Sequence, residues 1–225
     1  MTFVDLFAGI GGIALGLERA GHECVGFVEI DPYCQRVLHK HWPEVPKHAD
    51  VRTFHGTEFG PTDILAGGFP CQDISHAGRR AGLEGQHSGL WTDFARIIRN
   101  ARPKYVLVEN TTGLLVRGLE RVLADLAESG YDAEWDCIPA AAVGAPHLRA
   151  RTWLLAYPRG QRNAADDTVF AGQPLPDVRD WWAPAPDVRR VDDGPPYVLD
   201  SAQRLRALGN SAVPQVAEMI GRRLA

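Results

Sequence analysis

The sequence predicts an α/β protein built on a doubly wound, mostly parallel sheet with a small irregular insertion. Three observations carry this reading. Short apolar runs alternate with amphipathic stretches in the first half of the chain, a glycine-rich turn joins the first such pair, and a proline-dense stretch interrupts the pattern before it resumes near the C-terminus. Hydrophobic residues make up 45% and charged residues 23% of the 225 positions. That balance allows one well-buried core and excludes a largely disordered chain.

Taken in order, residues 2–6 read as a strand, 12–20 as a helix stopped by Gly21, and 23–29 as a second strand, which together make a βαβ unit. Asp31 followed by Pro32 supplies an N-cap and a first-turn proline for a helix that runs to about His41, before Pro43 ends the pattern. Further strands are expected at 64–66, 105–109, 133–138 and 152–156, and helices at 90–100 and 119–128. Beyond Tyr157, the prolines at 158, 174, 176, 184, 186, 195 and 196 break any long periodic element, so this stretch reads as an insertion or small subdomain. A helical pattern resumes at Ala202, is broken at Leu208-Gly209-Asn210-Ser211, and closes with a helix over 213–224 that returns to the first domain. The expected organisation is therefore a main domain over 1–157, an insertion over 158–201 and a returning segment over 202–225, with no internal repeat.

Several functional classes are disfavoured. No apolar stretch is long enough to span a bilayer and no basic segment precedes the first strand, so a cytoplasmic protein without membrane contact is expected. Cys24, Cys34, Cys71 and Cys137 form neither a CxxC pair nor a dense framework, which points to reduced thiols. The spacing of His39, His41, His48 and His55 matches no metal signature, and no metal is expected. A net charge of −4 does not mark a nucleic-acid binder, yet arginines cluster at 79–80, 149–151, 189–190 and 204–206, and a local basic face is what phosphate contact requires.

Three segments carry chemistry. Asp5-Leu6-Phe7-Ala8-Gly9-Ile10-Gly11-Gly12 places glycines between strand and helix, where the backbone can turn tightly and offer free N–H groups to a nucleotide-like ligand; a turn made only for helix–sheet packing is the alternative. Glu29, at the end of the next strand, suits a bidentate grip on ribose hydroxyls, and Asp50, beyond the third strand, suits an adenine amino group. Gly67-Gly68-Phe69-Pro70-Cys71-Gln72 follows a strand at the carboxyl edge of the sheet, which makes Cys71 a candidate nucleophile, with a buried inert thiol as the alternative. Glu109-Asn110 ends another strand on the same edge, where a half-buried carboxyl can deliver a proton. Alternation along the later strand is expected to point Arg149 and Arg151 to one side.

In this order the segments resemble the DNA cytosine-5 methyltransferase family, the enzymes of bacterial restriction–modification systems and of phages. Residues 7–12 resemble its cofactor loop and 68–72 its catalytic loop. Glu109-Asn110-Thr111 is similar to its Glu-Asn-Val motif, 144–151 to its Gln-x-Arg-x-Arg motif, and 206–215 to its late Gly-Asn-Ser/Ala-Val block. The resemblance covers roughly 3–157 and 202–224. It implies a Rossmann-like fold that binds S-adenosyl-L-methionine through Phe7, Gly9, Gly11, Glu29, Asp50, Leu90 and Asn210, and a flipped-out cytosine served by Cys71, Glu109, Arg149 and Arg151. By the same likeness Gln72, Arg79 and Arg80 lie in a loop that closes over duplex DNA, and Arg189 and Arg190, with Trp181 and Trp182, are DNA-contact candidates in the insertion; a packing role is the equal alternative for these last four.

The sequence departs from the family pattern in three places. His147 replaces the glutamine of the arginine motif, Thr111 replaces a valine, and only residues 158–201 are available where the family carries a sizeable target-recognition domain. A monomer acting on DNA is expected. A tRNA-directed enzyme of the same family, and a subunit whose partner supplies recognition, are the competing readings.

Overall fold

The computed structural model describes residues 1–70, 89–161, 168–170 and 198–224. Its centre is β1 (Thr2–Leu6), whose side chains from Phe3 to Leu6 are all buried. A strand buried on both faces must be covered by helices on both sides, which is why this run is nearly continuous in apolar residues. The elements that follow are α1 (Gly12–Arg19), β2 (Glu23–Val28), α2 (Pro32–His41), β3 (Lys47–His48), β4 (Ile64–Gly67), α3 (Leu90–Ala101), β5 (Tyr105–Thr111), α4 (Leu114–Arg117), α5 (Leu119–Glu128), β6 (Tyr131–Ile138), β7 (Arg151–Pro158), α6 (Val198–Asn210) and α7 (Pro214–Arg222). A 3-10 turn at Ala140–Val143 joins β6 to the segment before β7.

The sheet order is β3-β2-β1-β4-β5-β7-β6. Strands β1 to β5 are parallel, and β7 lies antiparallel between β5 and β6. The expected doubly wound, mostly parallel sheet is therefore present. The order reverses between β1 and β4, so the chain leaves these neighbours in opposite directions and opens a crevice at their carboxyl ends. One face of the sheet, with Phe3, Phe27, Ile64, Leu107 and Trp153, packs against α1 and α7. The other, with Val4, Leu65, Val106 and Leu154, packs against α3 and α5.

Local chemistry explains the element boundaries. Asp31 caps α2, its Oδ1 accepting from the amides of Tyr33 at 2.8 Å and Cys34 at 3.3 Å, while Pro32 occupies the first turn. Helices α1 and α7 approach closely at Gly16, where a Cβ would stand 2.2 Å from the Pro214 carbonyl oxygen. That contact packs α7 of the C-terminal segment on α1.

Two expectations are corrected. Helix α6 runs on through Gly209 to Asn210, where a break is expected from Leu208-Gly209-Asn210-Ser211. Strand β7 begins only at Arg151, which leaves Arg149 outside the alternation that was to align it with Arg151. Val169, within the stretch read as insertion, is 3% exposed and belongs to the core beside α7; its amide donates to Glu134 at 3.2 Å, and its carbonyl accepts from Arg223. No helix among the described residues is long and apolar enough to cross a membrane.

Candidate active site

Sheet register assembles the site. Leu6 pairs with Val28 on one side and Gly67 on the other, and Gly67 pairs with Val108. The next residue on each strand therefore falls in one row along the carboxyl edge: Glu29, Phe7, Gly68 and Glu109. The residues read from sequence as cofactor loop, catalytic-loop stem and acid are neighbours for this reason.

On the β1 side, Phe7, Gly9 and Gly11 all have positive φ, at 55°, 56° and 84°. A left-handed Phe7 is strained, and such strain persists where surrounding contacts fix it. Glu29 braces the loop two residues on, at Gly9. Its Oε2 accepts from the Gly9 amide and its Oε1 from the Asp31 amide, both at 2.7 Å. Burial raises the Glu29 pKa, opposed by these amide hydrogen bonds. Each oxygen keeps a lone pair, which is the capacity that two ribose hydroxyls require. Among the described residues nothing lies within 4 Å of a Cβ built on Gly9. Gly11 and Gly12 are packed instead: a Cβ would come within 2.7 Å of the Trp42 ring at Gly11 and 2.4 Å of Ser211 Oγ at Gly12. Beside them a cavity of about 890 Å³ opens, lined in part by Leu15, Trp42, His147 and Arg149.

Beneath the loop, Asp5 is 1% exposed and neither carboxyl oxygen has a close hydrogen-bond partner among the described residues. Burial holds its pKa well above the usual carboxylate range; the α1 amide at Ala14 opposes this, and the negative Glu29 adds to it. Asp50 does follow β3, but Arg52 grips its carboxylate through Nε at 2.9 and 3.1 Å and Nη2 at 2.6 Å. The pairing with Arg52 lowers its pKa. Leu90 opens α3 and packs half-buried on the second core face, and Asn210 is exposed at the end of α6.

On the β5 side, Glu109 is 8% exposed and its Oε1 lies 3.2 Å from Arg151 Nε. Burial raises its pKa to about 7, against the lowering influence of Arg151 and then Arg149. A carboxyl group poised there exchanges a proton near neutrality. A Cβ on Gly68 would stand 2.9 Å from Glu109 Oε2 and 3.3 Å from the Glu109 carbonyl oxygen, so the absence of a side chain there lets this backbone lie close against the acid. Asn110 Nδ2 donates to the Phe69 carbonyl at 3.2 Å and ties that stem to β5.

Arg149 does not join this group in the expected way. Its φ is 27°, and its Nη2 reaches the carbonyls of Gly209 at 2.7 Å and Ser211 at 2.6 Å. Cys71, Gln72, Arg79, Arg80, Trp181, Trp182, Arg189 and Arg190 lie outside the described residues. Sequence reasoning missed Asp5 and the row of rings Phe7, Phe94, Trp91 and Phe69, whose successive centroids are 6.2, 5.6 and 5.3 Å apart. This row links the cofactor-loop candidate to the residue two before Cys71. A buried aspartate in an otherwise apolar strand was its one sequence signal; the rings gave none, being brought together only by the fold.

The family model for C-5 cytosine-specific DNA methylase matches residues 1–179. The type II methyltransferase M2.BsuMI of Bacillus subtilis (strain 168) is 37% identical over 164 residues, covering 69% of this chain and 42% of that protein. For the type II methyltransferase M.Eco47II of Escherichia coli the identity is 42% over 162 residues, covering 69% and 39%. The chain thus spans less than half the length of these curated relatives. Among solved structures, a putative DNA modification methyltransferase encoded within an E. coli prophage superimposes with a TM-score of 0.60 at 24% identity, covering 71% of this chain and 47% of that one. S. pombe Dnmt2 methyltransferase gives 0.61 at 20%, covering 72% and 52%. These two likenesses are of fold.

Proposed function

The chain belongs to the C-5 cytosine-specific DNA methylase family, and from that premise we propose that it methylates C5 of a flipped-out cytosine in duplex DNA, with Cys71 as nucleophile. The observation that carries this is the row Glu29, Phe7, Gly68, Glu109 on one sheet edge, which puts a ribose-type acceptor and an acid titrating near 7 on either side of the stem that leads to Cys71.

Glu29 and the backbone of residues 7–12 would hold S-adenosyl-L-methionine, with Leu90, Asn210 and Asp50 at its margins; for Asp50 this requires release of Arg52. The donor supplies an electrophilic methyl group. The Cys71 thiolate adds to cytosine C6, forming a carbon–sulfur bond, while Glu109 gives its proton to N3 or shares it there, and the electron pair is left at C5 for the methyl group. Loss of the C5 proton to a base and expulsion of the Cys71 thiolate then restore the aromatic ring. Arg151, fixed by Glu109, is assigned to the cytosine O2. Raising the acid's pKa by burial keeps a useful protonated fraction at neutral pH, which a solvated glutamate would lack.

The catalytic body is assigned to residues 1–157 and 202–225, joined by the core residue Val169, and target recognition to the rest of 158–201, with Arg189 and Arg190 as phosphate contacts. A second reading, in which a partner supplies recognition, draws support from the shortness of the 158–201 stretch that lies between the two parts of the family resemblance. Activity of the purified chain on mixed-sequence duplexes separates the two. The chemistry is tested with a duplex carrying 5-fluorocytosine, which cannot lose its C5 substituent. The wild type with S-adenosyl-L-methionine is expected to form a covalent adduct and Cys71→Ala none; absence of the first or persistence of the second overturns the assignment.

A further inference from the structure

The two arginines of residues 149–151 face different tasks. Arg151 pairs with the acid. Arg149 sends one nitrogen, Nη2, to the carbonyls of Gly209 and Ser211, at and just past the end of α6. The last carbonyls of a helix lack intrahelical donors and carry the negative end of its dipole, so a guanidinium is a fitting cap. The capped segment is the one whose Ser211 Oγ and Ala212 carbonyl lie against Gly12, at 2.4 and 2.6 Å from where a Cβ would sit. Arg149 therefore holds residues 209–212 from behind while the start of α1 receives them in front. Its own backbone, at a φ of 27°, is in a conformation that a side-chain-bearing residue rarely adopts, and the contacts on its guanidinium keep it there.

We propose that Arg149 is a positioning residue of the cofactor side, a latch that presses the 209–212 segment onto the glycine loop, and that only Arg151 serves the base. The proposal rests on the methyltransferase reading above. It reassigns Arg149 from the base to the donor. It also gives the base site and the donor site a physical link, since the latch starts two residues from the arginine that fixes Glu109.

The test is calorimetric titration of the wild type, Arg149→Met and Arg149→Lys with S-adenosylhomocysteine, which needs neither DNA nor turnover. Loss of two charge-assisted hydrogen bonds in Arg149→Met is expected to weaken binding roughly tenfold or more. Arg149→Lys should stay within about threefold of wild type, since one ammonium can serve two carbonyls, as Lys47 Nζ does for Trp42 and Val45 at 2.6 Å each. If Arg149→Met does not melt cooperatively, Arg149→Gln replaces it under the same criterion. Binding by the uncharged variant within about twofold of wild type overturns the latch, whereas a wild type that binds no S-adenosylhomocysteine overturns the methyltransferase reading itself. In turnover, the uncharged variant should raise KM for the donor while kcat at saturation stays within about threefold; a fall in kcat at unchanged KM would return Arg149 to the base and end the proposal.

Discussion

Glu109 and Asp5 are two buried carboxyls with different surroundings, and the difference sets what each contributes. Glu109 has Arg151 beside it, and burial pushes its pKa up to about 7; neither oxygen of Asp5 has a close hydrogen-bond partner among the described residues. Both have folded-state pKa values raised above those of the unfolded chain, so for both the charged form is what folding disfavours. The stability each group allows is intact below its unfolded pKa and is lost as pH rises toward its folded pKa. For Glu109 that window runs from about 4.5 to about 7. Glu109→Gln should accordingly leave stability nearly unchanged at pH 5 and raise it by about 1–3 kcal/mol at pH 8, measured by urea unfolding; a variant less stable than wild type at pH 8 would contradict the assignment of the burial cost. The same variant should lose on the order of 10²–10⁴ in kcat, and the wild type's activity should decline above about pH 7 as the acid ionises. Asp5→Asn, which removes the buried charge while keeping the shape, should raise the melting temperature more at pH 8 than at pH 5, and the reverse order would mean that Asp5 is paired in solution. At this scale the sequence was informative about kind and mute about partners. Glu29 and Glu109 could be picked out because each follows an apolar run read as a strand, although β5 itself continues past Glu109 to Thr111. That Asp50 would be taken by Arg52 and Arg149 by Gly209 and Ser211 depends on loop geometry that no periodicity encodes.

Elements were legible wherever local and tertiary preferences agreed. Asp31-Pro32 caps α2 as read, and the apolar runs became strands with boundaries moved by one or two residues. They were illegible where a distant residue decided. Gly209 reads as a helix break, yet α6 continues through it to Asn210, and Arg149, 60 residues earlier, donates to the Gly209 carbonyl. Two glycines on helices give opposite predictions from this. Gly209 has nothing within 4 Å of where a Cβ would sit, so Gly209→Ala should stabilise the protein by about 0.5–1 kcal/mol through helix propensity. At Gly16 the added methyl meets the Pro214 carbonyl oxygen at 2.2 Å and Ala217 Cβ at 2.6 Å. Overpacking of about 1–3 kcal/mol then exceeds the propensity gain, α7 is pushed from α1, and thermal denaturation of Gly16→Ala should show a lower melting temperature. Equal effects of the two substitutions would mean that α7 does not dock on α1 as described.

At the scale of the whole molecule, segments on both sides of residues 171–197 share one core: Val169 and Phe170 pack on it before that stretch, and α7 returns to α1 after it. The sheet edge that aligns Glu29, Phe7, Gly68 and Glu109 is fixed by the pairing of strands β1, β2, β4 and β5, all of which precede that stretch in the chain. Folding and donor binding should therefore be separable from DNA recognition. Replacing 171–197 by a Gly/Ser linker of about 12 residues, which can reach roughly 40 Å when extended, should leave a protein that melts cooperatively and binds S-adenosylhomocysteine within about threefold of wild type. Its methylation of duplex DNA should fall below detection, because what remains can hold the donor and the acid but has lost Arg189, Arg190 and both nearby tryptophans. Retained sequence-specific methylation would place recognition in the catalytic body. Loss of donor binding together with cooperative melting would show that 171–197 belongs to the core, and would move the boundary of the catalytic unit with it.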